Sequence, residues 1–186
     1  MLTPRRSDAR RNREAILQVA GVAFTDCPRS VPLDEIARRA GLARATVYRH
    51  FPDRHALATA VAEKNLEALR CAVDAATDEG RSFRDLLHWV LATQTSMRPL
   101  ATLMLELPRR DQQRFADEVI GILAPPFLHA QVEGQLRDDL KPADLTLIML
   151  MVNAAVEALP VGDERKPIMD RLIFVILDGV FTRSEV

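Results

Sequence analysis

LDEIARRAGLARATVYRHFPDRHAL, residues Leu33 to Leu57, is the stretch on which the 186-residue chain turns. Leu33, Ile36, Ala37 and Ala40 recur at three- and four-residue steps, which predicts a short helix with one apolar face. Gly41 follows, and glycine enters the left-handed conformation that ends a helix at little cost. Leu42 plugs the corner. A second helix is expected from Arg44, with Val47 and Phe51 on its inner side. Pro52 stops it, and Asp53 caps the next helix. Two short helices around a tight glycine turn, with Ala37 small enough for close approach, make a helix-turn-helix.

The outer side of the second helix carries Arg44, Thr46, Arg49 and His50, with Ala45 beside them and Tyr48 nearby. Arginine reads guanine edges in the major groove, threonine bonds a base or touches a thymine methyl, and Ala45 lets the backbone approach. Arg44, Ala45, Thr46 and Arg49 are therefore the expected base contacts. Tyrosine, histidine and arginine also hold phosphates. The plain alternative is a helical hairpin with a solvated basic face.

The combined run of Ile36, Ala37, Ala40, Gly41, Thr46, Val47, Tyr48, His50, Phe51 and Leu57 resembles the TetR family of bacterial transcriptional regulators. With the helix before it, the resemblance covers about the first third of the chain; the rest is similar only in helical layout. Ala43 and Pro32 stand where capping serines or threonines are common in that family. Alanine at the cap forgoes roughly 1 kcal/mol of helix stability, whereas proline at a helix start is comfortable, because its missing N–H has no partner there. The resemblance implies phosphate contacts at Tyr48, His50 and Arg54, the last in the first turn of the following helix. It also implies a small-molecule pocket in the remainder of the chain, without choosing the residues.

Charge agrees with a division of labour. The net charge is −1, yet residues 1–58 hold eleven Lys+Arg against six Asp+Glu, and the remainder fourteen against twenty. A basic head on an acidic body fits one part on DNA and one part off it. Arg5, Arg6, Arg10, Arg11 and Arg13 form a basic arm, read equally as a phosphate or minor-groove contact and as a solvated tail. No apolar run reaches the roughly 18 residues of a membrane span, and the N-terminus lacks the apolar core of a signal peptide. A cytoplasmic protein with no membrane partner is expected. Cys27 and Cys71 match no metal spacing and are expected to be reduced.

Scarce glycine and little β-branched alternation predict an all-α fold of about nine helices. Residues 1–6 are expected to be disordered. Helix one should run from Asp8 to Phe24, capped by Ser7, with Ile16, Leu17, Ala20, Ala23 and Phe24 packing under the motif (33–51). Asp26 to Val31 should be a loop. The three-helix DNA-binding domain is taken as 8–58, and an effector-binding and dimerisation domain as 59–181. A long fourth helix, Asp53 to about Ala76, joins them. Gly80 ends that segment, and Ser82 with Asp85 resembles a capping box for a helix reaching Ser96. A short helix, Leu100 to Leu107, follows Pro99. A seventh helix starts near Arg110 and is expected to break or kink at Pro125 and Pro126. Helices eight (Ala143 to Leu159) and nine (Glu164 to Phe181) flank a loop at Pro160 to Asp163, and Thr182 to Val186 should fray.

Helices eight and nine carry excess apolar surface, which suggests a homodimer contact. A palindromic operator in double-stranded DNA needs two heads. Leu172, Ile176 and Val180 are the expected interface stripe, with core burial in one protomer as the competing reading. Trp89, Met97, Met104, Phe115, Phe127 and Met149 are candidate pocket residues, although each is first a candidate core residue. His88, Gln94, Thr95, His129 and Asn153 could add polar contacts. No phosphate loop, metal cluster or nucleophile motif is present, so no enzyme, cofactor or metal is expected. The expectation is a ligand-responsive regulator, a repressor by default, released from its operator by a small-molecule inducer. The alternative is a helical effector-binding or scaffolding protein whose head no longer binds an operator.

Overall fold

The computed structural model describes residues 4–26, 31–159 and 164–182. Among them the architecture is all helical: α1 (Pro4–Asp26), α2 (Leu33–Arg39), α3 (Arg44–His50), α4 (Arg54–Asp78), α5 (Phe83–Ser96), α6 (Arg98–Leu105), α7 (Arg109–Val132), α8 (Asp144–Ala158) and α9 (Arg165–Val180). Cys27, Pro28 and the Pro160–Asp163 loop lie outside the described residues. So do the side chains of Arg5 and Arg6 and most of the expected fraying end.

The chain forms two compact units. The first comprises the described residues of Met1–Asn65 with Pro99–Leu107. Its core is built as the apolar spacing predicts. Ile16, Leu17, Ala20, Ala23 and Phe24 of α1 are buried, as are Leu33, Ile36 and Ala37 of α2 and Val47 and Phe51 at α3. Each fully buried Leu, Ile or Phe side chain contributes on the order of 1.5–3 kcal/mol, which makes this small core the main source of the unit's stability. α1 also donates Glu14 to an ion pair with Lys64 of α4. Leu100 and Leu103 of α6 are buried, and His55 Nε2 lies 3.0 Å from Glu106 Oε2.

The second unit, Leu66–Arg98 with Pro108–Val186, packs α5 against α8, α9 and α7. Phe83 meets Phe127 edge to face, with ring centroids 5.8 Å apart, and Phe181 at 6.1 Å. Leu87, Leu91, Leu123, Leu145, Val152 and Ile173 close the same core. Asp85 N–H donates to the Ser82 hydroxyl, and that hydroxyl donates to the Asp85 carboxylate at 2.7 Å. The shorter aspartate thus completes the α5 cap within itself.

Several expectations are corrected. α1 starts at Pro4, so Ser7 lies inside the helix instead of capping it, and residues 4–6 are helical instead of disordered. Proline costs nothing in a first turn, and Asp8 pairs with Arg11 one turn on. The helix at α2 ends at Arg39, with Ala40 as its C-cap. α7 runs unbroken through Pro125 and Pro126. Leu123 and Phe127, both buried, seat the turns on either side of that pair in one core, which offsets the two lost backbone hydrogen bonds. Thr182 does not fray: its N–H donates to the Gln135 carbonyl at 2.9 Å and its hydroxyl to the Gly134 carbonyl at 2.6 Å. Phe181 pairs with Leu136 in a single antiparallel bridge.

Candidate nucleic-acid interface

The turn between α2 and α3 follows from Gly41, whose φ is +65°. That conformation lets Leu42 N–H reach the Ala37 carbonyl at 3.0 Å and Gly41 N–H the Arg38 carbonyl at 3.3 Å. This is the two-bond Schellman closure of a helix C-terminus. α3 then starts from Ala43, which is extended and offers no side-chain cap. Phe51 N–H closes its far end on the Val47 carbonyl at 2.8 Å, and the Asp53 carboxylate accepts from Ala56 N–H at 2.7 Å to start α4.

Val47 is fully buried and fixes which side of α3 faces out. Arg44, Ala45, Tyr48 and Arg49 are exposed, while Thr46, His50 and Arg54 are half-buried. The four expected base contacts and two of the phosphate contacts, Tyr48 and His50, therefore share one short helix, and Arg54 opens the next. Arg13 of α1 sits over the Phe51 ring, 5.4 Å from its centroid, which brings one member of the basic arm against this element.

Sequence reasoning missed the acidic residues of α2. Glu35 accepts from Arg38 at 2.7 Å and from Arg39 at 2.8 Å. Those hydrogen bonds, with the charges behind them, hold the Glu35 carboxyl down at about 2. Asp34 lies 3.0 Å from Arg44, across the turn. Arg49 makes no ion pair among the described residues. The available signal was two adjacent carboxylates in the first turn of α2, three to ten residues before three arginines.

The pocket candidates fall in both units. Trp89 is on the solvent side of α5, Phe127 is core, Phe115 is buried beside Arg114, and Met97 and Met149 are half-buried. Met104 belongs to the first unit. These residues were chosen by type, and type does not say which face of a helix is covered. More informative is the contact between α5 and α8, where Gln94 Nε2 donates to the Met149 carbonyl at 2.8 Å. The Gln94 and Asn153 side-chain oxygens are buried there and accept no hydrogen bond.

On α9 the three residues of the expected stripe differ in burial. Val180 is protomer core, and Leu172 and Ile176 are half-buried against that core. The open apolar side is rotated from it. Leu147, Leu150 and Met151 of α8 and Ile168, Phe174 and Val175 of α9 are each 47–59% exposed. A stripe drawn every four residues follows one side of the helix but does not choose which side.

Among the described residues no helix is long and apolar enough to cross a membrane. Residues 28–61 match the profile of bacterial regulatory proteins of the tetR family. The chain is 26% identical to the HTH-type transcriptional repressor LfrR of Mycolicibacterium smegmatis, over 92% of this chain and 92% of that one. Its fold is similar to the crystal structure of the TetR transcription regulatory protein from Mycobacterium vanbaalenii. The TM-score is 0.68 and the identity 27%, over 96% of this chain and 100% of that one. A TetR transcriptional regulator from Streptomyces coelicolor shares the fold with TM-score 0.66 and 21% identity, over 92% of this chain and 99% of that one.

Proposed function

Since the chain belongs to the TetR family of bacterial regulatory proteins, we propose that it represses transcription by holding a palindromic operator as a homodimer and lets go when a small molecule binds its body. The family is one of regulators, not of enzymes. The observation that carries the proposal is α3 itself: Arg44, Ala45 and Arg49 face outward while Val47 anchors the opposite side in a core. A relative named as a transcriptional repressor supports the sign of regulation.

Two heads are needed because a palindrome presents half-sites about one DNA turn apart, roughly 34–36 Å. The open apolar side of α8 and α9 supports a two-fold contact, since a second copy is the partner that would cover it self-complementarily. In the body, two buried amide oxygens without partners, at Gln94 and Asn153, support an effector carrying hydrogen-bond donors. Leaving such acceptors unmade costs on the order of 1–3 kcal/mol each. An effector releases the operator only if it favours the conformation that binds DNA less well.

Selection of bound duplexes from a random pool tests the proposal. A two-fold symmetric consensus, bound with a steep salt dependence, is the expected result. Enrichment of no sequence would leave the head without an operator and would sink the reading.

A further inference from the structure

We propose that Asp34 is a positioning residue for base recognition: it holds Arg44 as a reader of one base pair and cancels its pull on phosphates. Asp34 has this role only if the head binds DNA as proposed above. Asp34 is the second residue of α2 and Arg44 the first of α3, so the turn at Gly41 brings them together. The Arg44 Nη1 atom lies 3.0 Å from Asp34 Oδ2. The Arg44 side chain is 73% exposed and that of Asp34 38%.

An ion pair this open adds little to stability, so its consequence lies in what it does to the guanidinium. With Nη1 on the carboxylate, Nε and Nη2 form a complete two-donor edge with no partner among the described residues. Bidentate reading of guanine O6 and N7 takes two donors in a fixed fork. An arginine anchored at its third nitrogen loses less freedom when that fork engages a base.

The carboxylate acts a second time at longer range. A phosphate several ångströms away meets a paired charge instead of a bare cation. Its attraction falls, whereas the short, directional bonds to a base edge remain. Arg49, without an acidic partner among the described residues, keeps its full attraction for the backbone. The two exposed arginines of α3 are thereby made unlike.

The test uses the full chain, the sequence selected by the wild type, and random duplex. Asp34→Asn keeps the size of the side chain and removes the charge. Binding to random duplex should strengthen and its salt slope steepen by about one. Preference at the single base pair read by Arg44 should fall by roughly tenfold, with the other positions retained. In an Arg44→Ala background, Asp34→Asn should change nothing at that base pair. Arg44→Lys leaves α2 untouched and keeps the ion pair but lacks the fork; it should lose the same preference at an unchanged salt slope. An Asp34→Asn chain that matches the wild type in slope and at every position would overturn the proposal and leave DNA binding standing. So would a uniform change at all positions, or an Arg44→Lys chain that keeps the preference. A wild type that selects no sequence removes both readings.

Discussion

Arg49 is one turn from Ala45 on the outer side of α3 and is exposed; its full charge draws it to the backbone without taking it away from a base edge. Arg49→Ala is expected to weaken operator binding by roughly 1–3 kcal/mol and to relax the preference at one position in each half-site. A loss of equal size on all sequences, measured by competition with random duplex, would make Arg49 a phosphate contact. Glu35 acts in the opposite sense, on stability. Its folded carboxyl sits at about 2 against an ordinary 4.5, chiefly through the hydrogen bonds from Arg38 and Arg39. A depressed carboxyl contributes stability in full above the ordinary value and loses it as the pH falls from there toward the folded value. The gap in Tm between wild type and Glu35→Gln should therefore be constant above pH 4.5 and shrink toward pH 2. A gap that stays constant down to the lower pH would deny the Glu35 carboxylate its ion pairs. The positions of Arg44 and Arg49 were legible in the sequence, because Val47 and Phe51 fix the inner side of a seven-residue helix. The partner of Arg44 was not. Pairing across a turn depends on side-chain reach, which a helical period does not encode.

Elements closed by glycine were the most legible. Gly41, Gly80 and Gly134 all have positive φ, at +65°, +66° and +73°. Each supports the same two backbone bonds to the helix it ends: Leu42 to Ala37 with Gly41 to Arg38, Arg81 to Ala76 with Gly80 to Thr77, and Gln135 to Ala130 with Gly134 to Gln131. A glycine after an apolar stripe is a local signal, so no tertiary knowledge is needed to read it. Proline misled for the converse reason. Pro125 and Pro126 suggest a break, but Leu123 and Phe127 keep the helix whole, and only the folded unit reveals their burial. The start of α3 offers an element-scale prediction. Ala43 is extended, with φ −63° and ψ 141°, and provides no side-chain cap. A hydroxyl at that position reaches the N–H groups two or three residues on, so Ala43→Ser should stabilise the head by about 1 kcal/mol. An upward shift of the urea midpoint at constant slope would register it; a downward shift would mean that Ala43 is needed for close packing.

At the scale of the whole molecule, composition and period marked the body as helical and the last two helices as over-supplied with apolar groups. They did not reveal the turn of each helix about its own axis. Leu172, Ile176 and Val180 are a true stripe, yet it points toward the protomer's own core, while Ile168, Phe174 and Val175 stay open. This rotation decides which substitution separates a partner contact from protomer stability. A charge at the open side recurs across a two-fold axis. Val175→Glu should give a monomer by sedimentation, with helicity retained and operator binding lost, because one head holds only one half-site. Ile176→Glu should instead lower the thermal midpoint markedly, since it forces a charge against the core. A Val175→Glu chain that remains dimeric would put the contact on another face.

The short tie at Phe181 and Thr182 sets how that hairpin of helices breathes. Arg137 N–H on the Val180 carbonyl, at 3.3 Å, and Thr182 N–H on the Gln135 carbonyl, at 2.9 Å, fasten the end of α9 to the chain just before α8. Everything from Leu136 to Phe181 is thus a closed loop with a non-covalent clasp. A clasped loop tends to exchange its amide hydrogens as one cooperative piece instead of unravelling from a loose end. Deuterium should enter at Arg137, at Thr182 and along α9 with a common opening free energy, and Thr182→Pro, which removes the Thr182 donor, should speed exchange along α9. Exchange at Thr182 much faster than in the middle of α9 would mean that the clasp opens independently of the helices it encloses.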